Sequence, residues 1–87
     1  NAVHMLSTGD WKYCRYWDDQ GDEPDQYEMY HLVSDRLETN NLLDFHTGEL
    51  LPNAAVPGLT RAELQAQLEV LRTQLFEQES QLLLTPI

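Results

Sequence analysis

Five leucines at helical spacing near the end of the chain constrain its fold most strongly: Leu64, Leu68, Leu71, Leu75 and Leu82. Their spacing places these side chains on one side of an α-helix. Thr60 followed by Glu63 forms a capping box, and Leu59 is positioned to contact Leu64 as a hydrophobic staple. The pattern predicts a helix from about residue 60 to 84, within a segment 59–85 that precedes Pro86. A helix with one apolar side needs a second layer to pack against.

Alternating residues earlier in the chain predict that this second layer is a small β-sheet. In the segment 11–17, Trp11, Tyr13, Arg15 and Trp17 share one side, which we expect to be the core side, and Lys12, Cys14 and Tyr16 share the other. We expect strands at 3–8, 11–17 and 27–33, and a further short strand near 43–51. The sequence thus predicts an α+β fold, a small antiparallel sheet of three or four strands packed by one long helix. Its size suits a single domain over 3–87, with sheet and loops in 3–58. We interpret residues 1–2 as the remnant of an expression tag and leave them out of the predicted fold.

Charge excludes several classes of partner. The chain carries a formal net charge of −10, so we expect it to bind neither nucleic acid nor an anionic membrane. The acidic residues between Asp18 and Glu28 predict a solvated loop, with a calcium site as the alternative, although their spacing does not follow the EF-hand pattern. Cys14 is the only cysteine, so it forms no internal disulfide and leaves the compartment open between cytoplasm and export.

A polar bend is predicted after the third strand. Asp35 can accept hydrogen bonds from backbone N–H groups two or three residues ahead and cap one helical turn from Glu38 to Asn41. These three polar residues are then structural residues of a turn and not reactive groups.

The same stretch resembles the carboxyl-terminal part of the sulfatase family, within the alkaline phosphatase superfamily, where members often read E-L-Y-D-L-x-x-D-P-x-E-x-x-N-L. The matching residues here are Glu28, Met29, Tyr30, Leu32, Asp35, Glu38, Asn41 and Leu42. His31 stands where the family usually has Asp, and Arg36 where it usually has Pro. The segment 9–13 is similar to the strand that precedes this motif in the family, and a terminal helix follows the motif in both.

The resemblance implies a non-catalytic carboxyl-terminal subdomain of an arylsulfatase-like hydrolase, docked on the catalytic domain of the same polypeptide. The family's nucleophile motif, C/S-x-P-x-R, is absent around Cys14. We therefore expect this chain to be no enzyme by itself and to hold no cofactor or metal, while the parent enzyme would use formylglycine and a calcium-like divalent cation. Lys12 and Arg15 are candidates for the rim of the substrate pocket, and Leu75 and Leu82 for an interface.

Two alternatives stay open. Lys12 and Arg15 can instead extend their charged ends to neighbouring carboxylates, as surface residues do. The whole chain can be a free-standing acidic interaction module, which self-associates or binds a partner through its leucine-striped helix. In that case we expect the last turns of the helix to extend beyond the sheet, where Val70, Phe76, Leu83 and Leu84 would widen the apolar stripe.

Overall fold

The computed structural model describes residues 2–18 and 20–84, with side chains for 3–18 and 20–81. It contains β1 (Ala2–Ser7), β2 (Trp11–Trp17), β3 (Gln26–His31) and α1 (Arg61–Leu84). The strands form one antiparallel sheet in the order β1-β2-β3. This arrangement confirms the predicted α+β class.

The strand boundaries differ from the predicted ones in three places. β1 begins at Ala2, which pairs with Trp17, and ends at Ser7, each one residue earlier than the predicted strand 3–8. β3 ends at His31 and not at residue 33, because the N–H of Leu32 donates to the carbonyl of Asp10 at 2.7 Å and draws the chain into a turn. The predicted fourth strand is reduced to one bridge, between Leu43 and Leu50, since the chain reverses between them.

The core lies between α1 and one face of the sheet. Leu64, Leu68, Leu71 and Leu75 are each at most 4% exposed. They cluster with Leu6, Trp11, Tyr13 and Met29 of the sheet and with apolar residues of the segment 42–56. Each buried leucine stabilises the fold by about 2 kcal/mol, so this contact accounts for much of the stability of a small chain.

The predicted beginning of the helix is confirmed. The N–H of Glu63 donates to Thr60 Oγ1 at 3.1 Å, and the N–H of Thr60 donates to Glu63 Oε1 at 2.8 Å. Leu59 packs against the core that contains Leu64, as a hydrophobic staple requires. Near its other end, α1 still reaches the sheet, since Gln78 Oε1 lies 3.1 Å from His4 Nε2 and Glu79 binds Arg15. An extension of the helix beyond the sheet is thus limited to the residues after Glu79.

In the acidic loop, the described residues 18 and 20–25 lie in no helix or strand, as predicted, while Glu28 belongs to β3. Both carboxylate oxygens of Asp18 accept backbone N–H groups, from Gln20 at 2.9 Å, Asp22 at 3.1 Å and Glu23 at 3.2 Å. These hydrogen bonds hold the pKa of the Asp18 carboxyl below its usual range. Within the described residues, no three His, Cys, Asp or Glu side chains come together as a metal site would need.

Candidate functional site: the open face of the sheet

The turn that follows β3 is built around Asp35. Its Oδ1 accepts from the N–H of Thr39 at 3.0 Å and from Thr39 Oγ1 at 3.1 Å, and its Oδ2 accepts from the N–H of Asn40 at 2.9 Å. These bonds lower the pKa of the Asp35 carboxyl. Asp35 thus accepts backbone N–H groups four and five residues ahead, and not two or three as predicted, and the predicted helical turn from Glu38 to Asn41 does not form.

Glu38 explains why the turn is not helical. Its φ is 56°, in the left-handed region that a residue with a Cβ adopts at a cost of about 1 kcal/mol. This conformation brings Glu38 Oε1 to 2.6 Å from Lys12 Nζ of the neighbouring strand. The hydrogen bond raises the pKa of the Lys12 ammonium. Glu38 therefore ties the turn to the middle of the sheet.

Asn41 closes the outer edge of β3. Its Oδ1 accepts from the N–H of Met29 at 3.0 Å and from the N–H of Leu43 at 3.1 Å, and its Nδ2 donates to the carbonyl of Tyr27 at 3.1 Å. Two backbone bonds continue the closure, from the N–H of Leu42 to the carbonyl of Met29 and from the N–H of Tyr27 to the carbonyl of Phe45. One amide side chain and the segment after it thus take the place of a fourth strand.

Lys12 and Arg15 lie on opposite faces of the sheet and cannot bind one anionic group together. Arg15 lies on the α1 side, where it donates to Asp25 Oδ2 at 3.0 Å and to Glu79 Oε2 at 2.8 Å. Its guanidinium carbon is also 5.3 Å from the centre of the Trp17 ring. Both cations are paired with carboxylates, as the alternative interpretation of these residues expects.

In the part of the chain that the structure describes, no helix covers the other face of the sheet, which we call the open face. Its residues are Val3, Met5, Ser7, Lys12, Cys14, Tyr16, Gln26, Glu28 and Tyr30. Cys14 is 1% exposed and Tyr30 is 8% exposed, yet neither belongs to the core under α1. Along the β1 side, Val3 and Met5 are each 50% exposed. The open face therefore combines a buried centre at Cys14 and Tyr30 with an exposed apolar margin at Val3 and Met5.

Two tyrosines and a carboxylate form the polar centre of the open face. Tyr30 Oη donates to Glu28 at 2.8 Å, and burial followed by this hydrogen bond raises the pKa of the Tyr30 phenol. Burial, together with the charge of Glu28, raises the pKa of Tyr16 to about 12. Burial also raises the pKa of the Cys14 thiol, which makes it a poor nucleophile at neutral pH. The sequence analysis did not place Glu28 and Tyr30 in this group. The pairing of β2 with β3 does so, because Tyr30 lies opposite Lys12 and Glu28 lies opposite Cys14.

Leu75 and Leu82 were both predicted at an interface, and the structure describes the side chain of Leu75 but not that of Leu82. Leu75 is 4% exposed and belongs to the core, so it is not available to a partner in the folded chain, which corrects its assignment to an interface. The side chain of Leu82 lies outside the described residues, as do those of Leu83 and Leu84. Val70 and Phe76 are exposed on α1, by 49% and 70%.

No helix within the described part of the chain is long and apolar enough to cross a bilayer. Comparison with protein-family models, with curated proteins and with solved structures gives no match.

Proposed function

We propose that this chain is the carboxyl-terminal subdomain of a sulfatase-like sulfuric ester hydrolase. In this proposal it is not catalytic by itself, and it docks through the open face on the catalytic domain of the same polypeptide. There it supports the rim of the substrate pocket. The nucleophile, the formylglycine derived from it and the divalent cation would belong to the catalytic domain.

The motif that carries the resemblance supports this proposal, because the three polar residues of its second half each have a distinct structural task. Asp35 brackets the turn, Glu38 ties the turn to Lys12, and Asn41 closes the edge of β3. Residues with such tasks determine the shape of a subdomain and take no part in chemistry by themselves. A motif that fixes a turn and closes the edge of β3 suits a subdomain whose role is to support a catalytic domain.

The observation that carries the docking proposal is the one-sided covering of the sheet. An antiparallel sheet with one solvated face normally has polar residues there. Here the open face has Val3 and Met5 half exposed and holds Tyr16 and Cys14 beside them. Such a face fits a second domain whose apolar surface covers the β1 margin and whose polar groups reach Glu28. Of the two predicted rim residues, only Lys12 lies on this side.

The first test is the coding sequence that precedes the codon of Asn1. The proposal expects a C/S-x-P-x-R motif upstream in the same reading frame. A start codon immediately before the codon of Val3 would contradict the proposal and favour a free-standing module.

The second test measures docking on the domain encoded upstream, expressed separately. Met5→Glu places a charge on the open face, and Val70→Glu is its matched control, since the two side chains are exposed by 50% and 49%. We expect Met5→Glu to weaken binding about tenfold or more, because it buries an unpaired charge, and Val70→Glu to leave it unchanged. Equal binding by the two variants would refute docking through the open face.

The module alternative finds less support in the structure. The leucine stripe from Leu64 to Leu75 is already buried against the sheet. The exposed Val70 and Phe76 lie about 120° apart around the helix, so they do not form one stripe. A partner helix would therefore have no continuous apolar surface to pack on among the described side chains.

A further inference from the structure

The two edges of the sheet are treated differently. The edge of β3 is closed by Asn41 and the segment after it. The edge of β1 carries no such cover, since no backbone hydrogen bond outside the β1–β2 pairing reaches Val3, Met5 or Ser7 among the described residues. An unpaired strand edge offers a row of N–H and C=O groups that another strand can bind.

The hairpin geometry shows which groups of β1 face outward. The N–H of Thr8 donates to the carbonyl of Trp11 at 2.9 Å, which makes these two residues a hydrogen-bonded pair. Hydrogen-bonded and non-hydrogen-bonded pairs alternate along an antiparallel ladder. Leu6 and His4 therefore bond to β2, while the N–H and C=O groups of Val3, Met5 and Ser7 point away from it.

The sequence of β1 does not protect this edge. Natural edge strands usually carry a lysine, a proline or a bulge that prevents pairing with another chain. β1 reads A-V-H-M-L-S and has no Asp, Glu, Lys, Arg or Pro. Its apolar residues occupy both parities, with Val3 and Met5 on the open face and Leu6 on the α1 side.

The groove beside this edge is also poor in charge. It has a volume of about 570 Å³ and lies between β1 and α1, with Leu6 and Thr8 on one side and Gln74, Gln78 and Gln81 on the other. Glu77 is the only acidic residue among the described residues that line it, in a chain whose formal net charge is −10. The surface between α1 and the end of β1 near Leu6 and Thr8 thus carries little charge.

We propose that the edge of β1 binds β1 of a second copy of this chain, antiparallel and centred on Met5. In this register Met5 pairs with Met5 of the other copy, and Val3 pairs with Ser7. Each backbone N–H and C=O group of Val3, Met5 and Ser7 then takes part in a hydrogen bond to the other copy, which gives about six hydrogen bonds across the two-fold axis. A second copy fits this edge because its own β1 is uncharged and apolar on both parities, so its strand brings no carboxylate into the contact. The inference does not depend on the proposed function.

The dimer has a diagnostic dependence on salt. The two copies each carry a net charge of −10, and their mutual repulsion weakens as salt screens it. Dimerisation should therefore become stronger as ionic strength rises. A complex with a basic partner would show the opposite trend.

Sedimentation of the isolated chain tests the proposal by measuring its molecular mass in solution. A concentration of about 100 µM is needed, because a short strand pair is a small interface and binds weakly. We expect a two-fold mass for the wild type in high salt. Met5→Pro removes the outward N–H while sparing the bonds between β1 and β2, so it should give a monomer. Met5→Thr also changes the side chain but keeps the N–H, and should remain a dimer.

Circular dichroism shows whether the Met5→Pro variant is folded. If Met5→Pro is unfolded, Ser7→Pro is used in its place, because it removes another outward N–H. A wild type that is monomeric in both low and high salt overturns the proposal. So does a folded proline variant that remains a dimer. Neither result bears on docking to an upstream domain, because that domain is absent from this experiment.

Discussion

Replacing Asn41 with alanine removes three hydrogen bonds at the outer edge of β3, to Met29, Tyr27 and Leu43. Met29 is 0% exposed, so its N–H loses its partner in a place that water does not reach. A buried backbone group without a partner costs about 1–3 kcal/mol, and the Asn41 side chain serves more than one such group. We expect a loss of about 3 kcal/mol in the free energy of unfolding, or about 15 °C in Tm for a chain of this size.

The matched control is the neighbouring residue. The side chain of Asn40 is exposed and has no hydrogen bond in the described structure, while its backbone N–H, which Asp35 accepts, remains in an alanine variant. Asn40→Ala should change stability by about 0.5 kcal/mol at most. Urea unfolding can be followed through Trp11, which is buried in the native state.

An isosteric variant separates the acceptor from the donor. Asn41→Asp keeps the bonds from Met29 and Leu43 but directs a carboxylate oxygen at the carbonyl of Tyr27. We expect an intermediate loss at neutral pH and a partial recovery in acid, where the protonated carboxyl can donate again. Equal urea midpoints for Asn41→Ala and Asn40→Ala would refute the assignment of Asn41 as the residue that closes the edge.

Three further predictions use the same unfolding measurements. Gly48→Ala should destabilise more than Gly58→Ala by about 1–2 kcal/mol, because both have positive φ, at 77° and 84°, but only the added Cβ at Gly48 meets the Tyr27 ring, at 3.0 Å; equal losses would count against this contact. Thr60→Ala should cost about 1 kcal/mol by removing the helix cap, whereas Thr60→Ser should unfold close to the wild type; an alanine variant as stable as the serine variant would argue against the cap. Because the folded pKa of Tyr16 is raised to about 12, its contribution is complete below the unfolded value of about 10 and is lost as pH rises towards 12; the fall in Tm over this range should be smaller in Tyr16→Phe, and an unchanged slope would contradict the role of this phenol.

Local signals in the sequence predicted the elements that depend on local physics. The capping box of Thr60 and Glu63 involves residues three apart, and the alternation in β2 needs only the period of a strand. Both predictions were confirmed. The core side of β2 followed from the aromatic residues Trp11 and Tyr13, which are buried under α1.

The features that sequence reasoning missed depend on contacts between distant segments. β3 ends early because Leu32 bonds to Asp10, in a turn that lies far from it in sequence. The left-handed conformation of Glu38 has no sequence signal, since glycine is the residue that normally marks it. Leu75 looked available to a partner because the length of α1 suggested an overhang, yet the sheet contact continues to Glu79.

The asymmetry between the two edges determines how an assembly of this chain would end. A sheet that is open on both sides can add copies without limit, which is how strands grow into fibres. Here the amide of Asn41 and the carbonyl of Phe45 already occupy the margin at β3, so growth can start only at β1. Pairing through β1 uses up the available margin of both copies, and the assembly terminates at two.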